Sequence, residues 1–559
     1  MASSSADLPH QVEQSIHSAN SKEPGKSDVS QIDNDGYGSF AKDVFHDAKA
    51  ATEAEHMTTP LQAFKKYPKA VAWSILVTMA VVMDGYDESL IKSLFAQKAF
   101  RKRFGQPTPA GGYQLTAAWQ AGMANASVIG IMIGMCFNGY VRERFGMRKT
   151  MLAACVVLTG LIFILVFAQS VAMLLVGELL CGICWGIFHA TAPIYASEVC
   201  PTVLRGYLTT FINFGAVFGH LIAAIVLNAT QSMTGRWAYN LPFSLQWIWP
   251  VILVVGLIFC PESPWWLVRT GRLEEAEKAL KRLTSGEGTH EAVALMVRTT
   301  EEEKALGGSS YRDCFKGSNL RRTEIAFAVW SIQAFSGLPM SAYNTYFFEQ
   351  AGLSDSSAFS MSIGNSCMGI AGTILSWFLL TWFGRRTIFI GGLVTMCFIL
   401  FIIGFVSLAP SSNDSASWAQ AVMLLIWVFT YDLSVGPVAW CVASEVSATQ
   451  TRAKTIAVGR TGSYIINIIF NVATPYMLNP TAANWKGKTG FFFGGTCALS
   501  LVWTFFRLPE FKGRTYEELN ILFWKEVPAR KFKSTSVDAY SEESSNAPAI
   551  EEVTAAKQT

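Results

Sequence analysis

From Val71 onward, long apolar runs alternate with short polar joins, and each run is close to the roughly 20 residues that cross a bilayer as a helix. Runs recur near 71–94, 115–137, 150–169, 172–195, 206–227 and 244–260. A charged stretch, Glu262 to Arg322, follows, and a second set runs near 323–348, 358–382, 387–408, 418–441, 455–478 and 489–508. The pattern predicts an all-α membrane protein of about twelve transmembrane helices in a six-plus-six plan. Inside the charged stretch, RLEEAEKALKRL sets acids ahead of bases at helical spacing, which predicts amphipathic helices on the membrane face. The expected division is a disordered tail over 1–69, a first bundle over 70–260, a helical linker over 261–322, a second bundle over 323–508 and a polar tail over 509–559.

Composition agrees. Of 559 residues 51% are hydrophobic and only 15% charged, against about 25% charged in soluble proteins. A net charge of +3 is too small to suggest nucleic acid as a partner. The first 60 residues carry no apolar h-region, so no cleaved signal peptide is expected. Most of the 11 cysteines lie in apolar runs, where they read as small packing residues. The Cys181/Cys184 pair has no second pair or His cluster beside it, and no metal or cofactor is expected. An even number of spans puts both chain ends on one side, with Arg142, Arg144, Arg148, Lys149, Arg205, Arg385, Arg386, Arg452 and Lys454. The positive-inside rule makes that side cytosolic. One loop dissents: Lys98, Arg101, Lys102 and Arg103 fall on the opposite side.

Polar residues inside the runs are the candidate chemistry. The first run, VAWSILVTMAVVMDGYDESLIKSL, carries Asp84 and Asp87 near its outer end. Residues three apart share a helix face, and a charge in hydrocarbon costs about 2.5–3.5 kcal/mol on insertion scales, so both acids are expected to face a wet cavity and to carry a proton. The plain alternative is that they mark the helix end, with Glu88 solvated outside. Glu178 and Arg460 also lie inside runs, and Arg460 reads as the one base there. An unpaired Arg in the membrane should face an acid; Asp84, Asp87, Glu178 and Asp432 are available. His220 reads as a packing histidine.

The two halves repeat. Tyr195-x-x-Glu198-x6-Arg205 closes the fourth run and Trp440-x4-Glu445-x6-Arg452 the tenth, with Glu198 and Glu445, like Arg205 and Arg452, 247 residues apart. Pro261-Glu262-Ser263-Pro264 after the sixth run has a counterpart in PEFKGRT from Pro509, and GYVRERFGMRK (Gly139 to Lys149) one in WFGRRT (Trp382 to Thr387). Two homologous bundles with a site at their interface near the midplane is a common build for secondary carriers.

These landmarks resemble the major facilitator superfamily and, within it, the sugar porter family. GPVAWCVASEVSATQTR (Gly436 to Arg452) is close to the tenth-helix pattern of that family. MDGYD, RWAYNLPFSLQWIWP, PESPWWLV and YFFEQAGL look most like fungal α-glucoside (maltose-type) proton symporters. The resemblance covers roughly residues 65–525 and implies two pseudo-symmetric six-helix bundles, the MFS fold. It also implies a sugar transmembrane transporter, a monomer in the bilayer that takes up a disaccharide with protons by alternating access. Departures are Thr381 for the acid before GRR, a Gln333-to-Pro339 stretch lacking one Gln and the Asn of the seventh-helix motif, Glu178 for a fourth-helix Arg, and Asn213 for a hexose-binding Gln. Losing hexose contacts on a kept scaffold fits a larger saccharide.

Aligned on that family, the expected sugar-binding residues are Asn213, Gln333, Trp440, Tyr464 and Asn467, with Asn344 and Asn365 added only as amides in apolar runs. Amides suit hydroxyls and a tryptophan face suits a pyranose. Any one amide could instead hold two helices together. Trp330, Trp377 and Trp427 read as lipid-facing or packing residues. The proton-coupling set is Asp84, Asp87, Glu178 and Arg460. The resemblance also implies a cytosolic gate of Glu143, Arg144, Arg148, Glu198, Arg205, Arg385, Glu445 and Arg452, whose charge pairs tie the bundles when the cavity faces outward. Other readings are a lactose- or cellobiose-type permease, a sugar receptor that signals through its tails, and a passive facilitator; the intramembrane acids argue against the last. No nucleophile–base pair or phosphate loop points to an enzyme.

Overall fold

The computed structural model describes residues 67–108, 112–199, 202–284, 310–409, 414–448, 451–512, 514 and 516–535, with isolated positions between 289 and 300. The expected N-terminal tail and most of the C-terminal one lie outside them. The first bundle comprises α1 (Pro68–Leu94), a short α2 (Lys98–Phe104), α3 (Ala117–Phe145), α4 (Met147–Val166), α5 (Val171–Val199), α6 (Thr202–Thr230), α7 (Trp237–Leu245) and α8 (Ile248–Phe259). A two-stranded ribbon pairs Gln106–Pro107 with Tyr113–Gln114. Then come α9 (Pro264–Arg269) and α10 (Leu273–Leu283) of the linker. The second bundle comprises α11 (Gly317–Phe335), α12 (Leu338–Ala342), α13 (Asn344–Ala351), α14 (Asp355–Trp382), α15 (Arg385–Val406), α16 (Asp414–Leu433), α17 (Val435–Val446), α18 (Arg452–Leu478) and α19 (Thr489–Arg507); α20 (Tyr516–Trp524) follows.

Eleven helices among the described residues are long and apolar enough to cross a membrane. The seventh span escapes that count because α11 opens with Arg321, Arg322 and Glu324, and the apolar run beyond it is broken. Gly337 turns the chain at φ 105°, a left-handed backbone that glycine adopts without strain, and Pro339 follows inside a five-residue α12. The single runs expected near 244–260 and 418–441 are likewise each two helices, α7/α8 and α16/α17, the second pair meeting at Ser434 (φ −129°, ψ −84°). Hydropathy reads apolar content and misses such breaks, because the residues at them are themselves small or apolar.

Within the first bundle α1 packs along α6 and α3 along α5. A Cβ at Gly219 would sit 2.1 Å from the Val82 carbonyl oxygen and one at Gly85 2.3 Å from that of Ala216, so α1 and α6 touch backbone to backbone, as small residues permit in membranes. The bundles meet along two seams, α6 against α14 and α17, and α3 against α18.

Loops at 145–147, 260–263, 383–384 and 447–448 mark one end of the molecule, here the near end, and those at 95–97, 112–116, 231–236 and 479–488 the far end. At the near end the repeat seen in the sequence has a structural purpose. Glu262 accepts from the backbone N–H of Met147 (2.9 Å) and Arg148 (3.1 Å), capping α4, and a side chain at Gly146 (φ 84°) would strike that carboxylate. Glu510 occupies the same place against Gly384, ahead of α15. An acid at a helix N-terminus completes orphan N–H groups and opposes the helix dipole favourably.

Candidate functional site: the cavity between the bundles

A cavity of about 140 Å³ opens between the bundles, lined from the first by Asp84, Asp87, Glu88, Lys92, Trp185 and His189 and from the second by Gln333, Arg460, Tyr464, Asn467 and Asn471. Both acids of α1 are on it, buried from bulk solvent at 7% and 1% exposure, which is the face the sequence predicts. They do not pair with one another. The Asp84 Oδ2 lies 2.6 Å from Nε2 of His189 on α5. Asp87 accepts from the Gln246 amide at the α7/α8 break and lies against the carboxyl of Glu178. Glu178 is wholly buried, and no side-chain donor reaches either oxygen. Two carboxyls that face each other inside protein bond only by sharing a proton. Where the family pattern puts an arginine, this chain therefore builds an acid–acid contact.

Arg460 is not the one base inside the spans, and it does not face an acid. Lys92 is a second: it is buried in α1 and pairs with Glu88 at 2.7 Å, four residues back on the same face. Glu88 lines the cavity, with His220 of α6 at 4.0 Å from its other oxygen. Among the described residues no carboxylate lies within ion-pair distance of Arg460. Its guanidinium instead sits 4.4 Å from the ring centre of Trp330, 5.0 Å from Trp440 and 4.9 Å from Tyr464. Ring faces present negative charge density, and a cation over a desolvated ring is worth about 2 kcal/mol or more, which replaces the expected carboxylate. Trp330, expected to face lipid or pack, belongs to this cage and meets Trp440 edge-on at 4.3 Å.

The expected sugar residues divide. Gln333, Tyr464 and Asn467 line the cavity. Trp440 is not among the lining residues and packs in the Arg460 cage behind them. Asn213 lies on the α6/α14/α17 seam, where its amide donates to Asp432 Oδ1 (3.1 Å) and Thr373 Oγ (3.3 Å) of the other bundle. Asn344 is a hub between α13 and α14, accepting from Ser362 (3.0 Å) and Thr345. Asn365 is buried, with no partner for its oxygen. None of these three is among the residues lining the cavity; Asn213 and Asn344 hold helices together.

Polar ties across the bundles gather at the far end. Arg101 of α2, one of the dissenting bases, is 9% exposed and donates to Glu349 of α13 (2.6 Å), Gln114 (3.1 Å) and the Ala96 carbonyl (2.9 Å). The Gln114 amide donates to the Tyr346 hydroxyl at 2.6 Å, Lys98 pairs with Asp355 at 2.7 Å, and the Asn479 amide donates to the Leu115 carbonyl at 2.9 Å. At the near end the ion pairs of the expected gate acids Glu198 and Glu445, among the described residues, each stay within one bundle or join it to the linker. Among the described residues Glu198 pairs with Arg142 (3.4 Å) and with Arg269 of the linker (3.7 Å), and accepts from Ser263. Arg385 pairs with Glu445 (3.0 Å) inside the second bundle. Arg144 donates to Tyr140, Arg148 to the Ile258 carbonyl, and the Glu143 carbonyl accepts from Trp266. Arg452 opens α18; the Arg205 side chain lies outside the described residues.

His189, Lys92, Gln246 and Trp330 were not singled out as site residues from the sequence. Two had a signal: Lys92 follows Glu88 by one turn, and His189 follows Glu178 by about three, on the same helix face. Gln246 had none, because the break that aims it was not foreseen.

Two helical bundles closed over a polar cavity at their shared seam, with acids on one wall and a caged cation on the other, define a membrane carrier. The sequence profile described as "Sugar (and other) transporter" matches residues 73–523, and the chain belongs to that family of integral membrane sugar transporters. A "General alpha-glucoside permease" of Saccharomyces cerevisiae is 42% identical over 504 residues, covering 88% of this chain and 82% of the other. "Maltose permease MAL31" of the same organism is 39% identical over 510 residues, covering 89% and 83%. Among solved structures, the proton:xylose symporter XylE bound to 6-bromo-6-deoxy-D-glucose superposes with TM-score 0.66 at 22% identity, over 82% of this chain and 99% of that one. The inward open form of XylE from E. coli gives 0.65 at 21%, over 81% and 99%. At that identity the likeness concerns the fold.

Proposed function

We propose that this chain is a proton-coupled disaccharide symporter that works by alternating access, taking a maltose-like α-glucoside. The observation that carries it is the acid wall: Asp84, bonded to His189, and Asp87, backed by the buried Glu178, line one cavity with Arg460 of the opposite bundle. A passive carrier has no use for buried carboxyls that cost energy to hold. Two named relatives at 39–42% identity are an α-glucoside and a maltose permease, which favours a disaccharide over a hexose. Gln333, Tyr464 and Asn467 bind hydroxyls, and Trp440 offers a ring face to a pyranose. The near end, which holds the base-rich loops, is cytosolic by the positive-inside rule, and the plasma membrane is the site of action. The division into bundles over 70–260 and 323–508, with a linker between, gives the two rocking bodies. Glu143, Arg144, Arg148, Glu198, Arg205, Arg385, Glu445 and Arg452 re-form cross-bundle pairs when the cavity turns outward; exposed pairs are individually weak, so they break readily. The test is expression in cells lacking disaccharide uptake, with sugar-induced proton influx recorded for maltose, trehalose, sucrose, lactose and cellobiose. Influx on addition of an α-glucoside supports the proposal; uptake of label with no proton movement contradicts it.

A further inference from the structure

We propose that His189 is a proton-carrying residue of the transport cycle, forming with Asp84 a two-residue proton port distinct from the Asp87–Glu178 contact. This rests on the proton-coupled reading above and assigns part of it to a side chain that no carrier logic read from the sequence had used.

The geometry is specific. Nε2 of His189 and Oδ2 of Asp84 are 2.6 Å apart, with side chains 12% and 9% exposed, so one proton lies between them. Nδ1 has no hydrogen-bond partner among the described residues, and the ring lines the cavity. The port thus has one ring atom fixed to a carboxylate and a second on a ring that lines the cavity. Charged and titratable groups face the ring from three elements: Asp84, Asp87, Glu88 and Lys92 from α1, His220 beside Glu88 from α6, and Arg460 and Tyr464 from α18, with Glu178 on its own helix. Asp87 is occupied by Gln246 and Glu178, and Glu88 by Lys92. Of these acids, Asp84 alone has an imidazole nitrogen within hydrogen-bond distance among the described residues.

The step balances simply. With Nε2–H donating to the Asp84 carboxylate, the pair carries one negative charge. A hydronium ion in the cavity gives its proton to the Nδ1 lone pair and leaves as water. The pair is then an imidazolium against a carboxylate, with no net charge. Release reverses this at Nδ1, and no bond to carbon changes. Neutralising the pair removes one negative charge from the wall that Arg460 faces, so loading at His189 alters the attraction between the bundles.

The test uses the full chain in proteoliposomes with labelled maltose, trehalose and sucrose. Two readouts are needed: accumulation driven by an imposed proton gradient, and counterflow exchange with no gradient. His189→Gln keeps a donor toward Asp84 and cannot titrate. It is expected to retain counterflow within about threefold while gradient-driven accumulation falls about tenfold or more and loses its pH dependence. The Asp84→Asn/His189→Gln double variant is expected to be no worse than the worse single one, as for residues acting as a unit. Accumulation and pH profile equal to the parent's overturn the inference, as does an additive loss in the double variant. Equal loss of counterflow and accumulation in a monodisperse His189→Gln protein also overturns it, since a structural role does the same. Failure of the parent itself to accumulate any of the sugars counts against the proton-coupled reading and leaves a different signature, because there the variant and the parent agree.

Discussion

Arg460 shows how one side chain can be kept inside a membrane without a counter-ion. The three rings around it compensate the guanidinium while leaving it free of a fixed carboxylate, so its electrostatic partner is the whole acid wall across the cavity. Arg460→Ala is therefore expected to lower gradient-driven sugar accumulation by about tenfold or more, and Arg460→Lys to recover only part of it, because a compact ammonium cannot stack flat on three rings. Transport assays at matched surface expression decide this. Asn213 makes a second case. Its amide is the neutral partner of Asp432 across the seam, and leaving a buried group unpaired costs about 1–3 kcal/mol. Asn213→Ala should lower thermal stability in detergent by that order while leaving maltose affinity, read by binding calorimetry, close to the parent's. A large loss of affinity with unchanged melting would return Asn213 to the sugar. At this scale the sequence was legible where position along a helix decides the facing, as for Asp84 and Asp87. It was not legible where a partner comes from another helix: nothing local to Asn213 distinguishes a seam amide from a cavity amide.

Helices here are aligned by contacts at their ends as much as along their faces. Glu262 holds α4 by its first N–H groups. Burial, the largest influence on it, holds its carboxyl above the ordinary carboxylate range. A raised native value means the folded protein binds this proton more readily than the unfolded chain, so the group favours folding most at low pH. That contribution declines as pH rises through the native value. Glu262→Gln accepts the same N–H bonds without charge, and its melting temperature relative to the parent should rise with pH from about pH 4 upward; a constant or falling difference contradicts this. Helix existence and the six-plus-six repeat were legible from run length and from the 247-residue spacing. The breaks at Gln246, Gly337 and Ser434 were not, since a run interrupted by Gly, Ser or Gln remains apolar on average.

At the scale of the whole molecule, the dissenting bases of the first loop find their reason. Arg101 is buried in a bond network that joins α2 to α13 of the other bundle, so the loop closes the far end rather than voting on orientation. Removing one partner of a buried ion pair costs about 3–5 kcal/mol. Arg101→Ala should thus favour the state open at the far end. A cysteine placed at Leu338 on the cavity wall should then react several-fold faster with an impermeant thiol reagent added from that side, scored by mass spectrometry; an unchanged rate would separate the network from gating. With the far end tied and the near-end ion pairs among the described residues each kept to one bundle or the linker, the proposed cycle has the cavity exchange protons and sugar with the near side before the bundles rock. The most direct test of that account is sugar-induced proton influx, measured with maltose in cells lacking other disaccharide uptake, for the parent and for Asp87→Asn. The account predicts influx that follows maltose addition in the parent and is abolished in Asp87→Asn while counterflow persists; equal influx in both would contradict it.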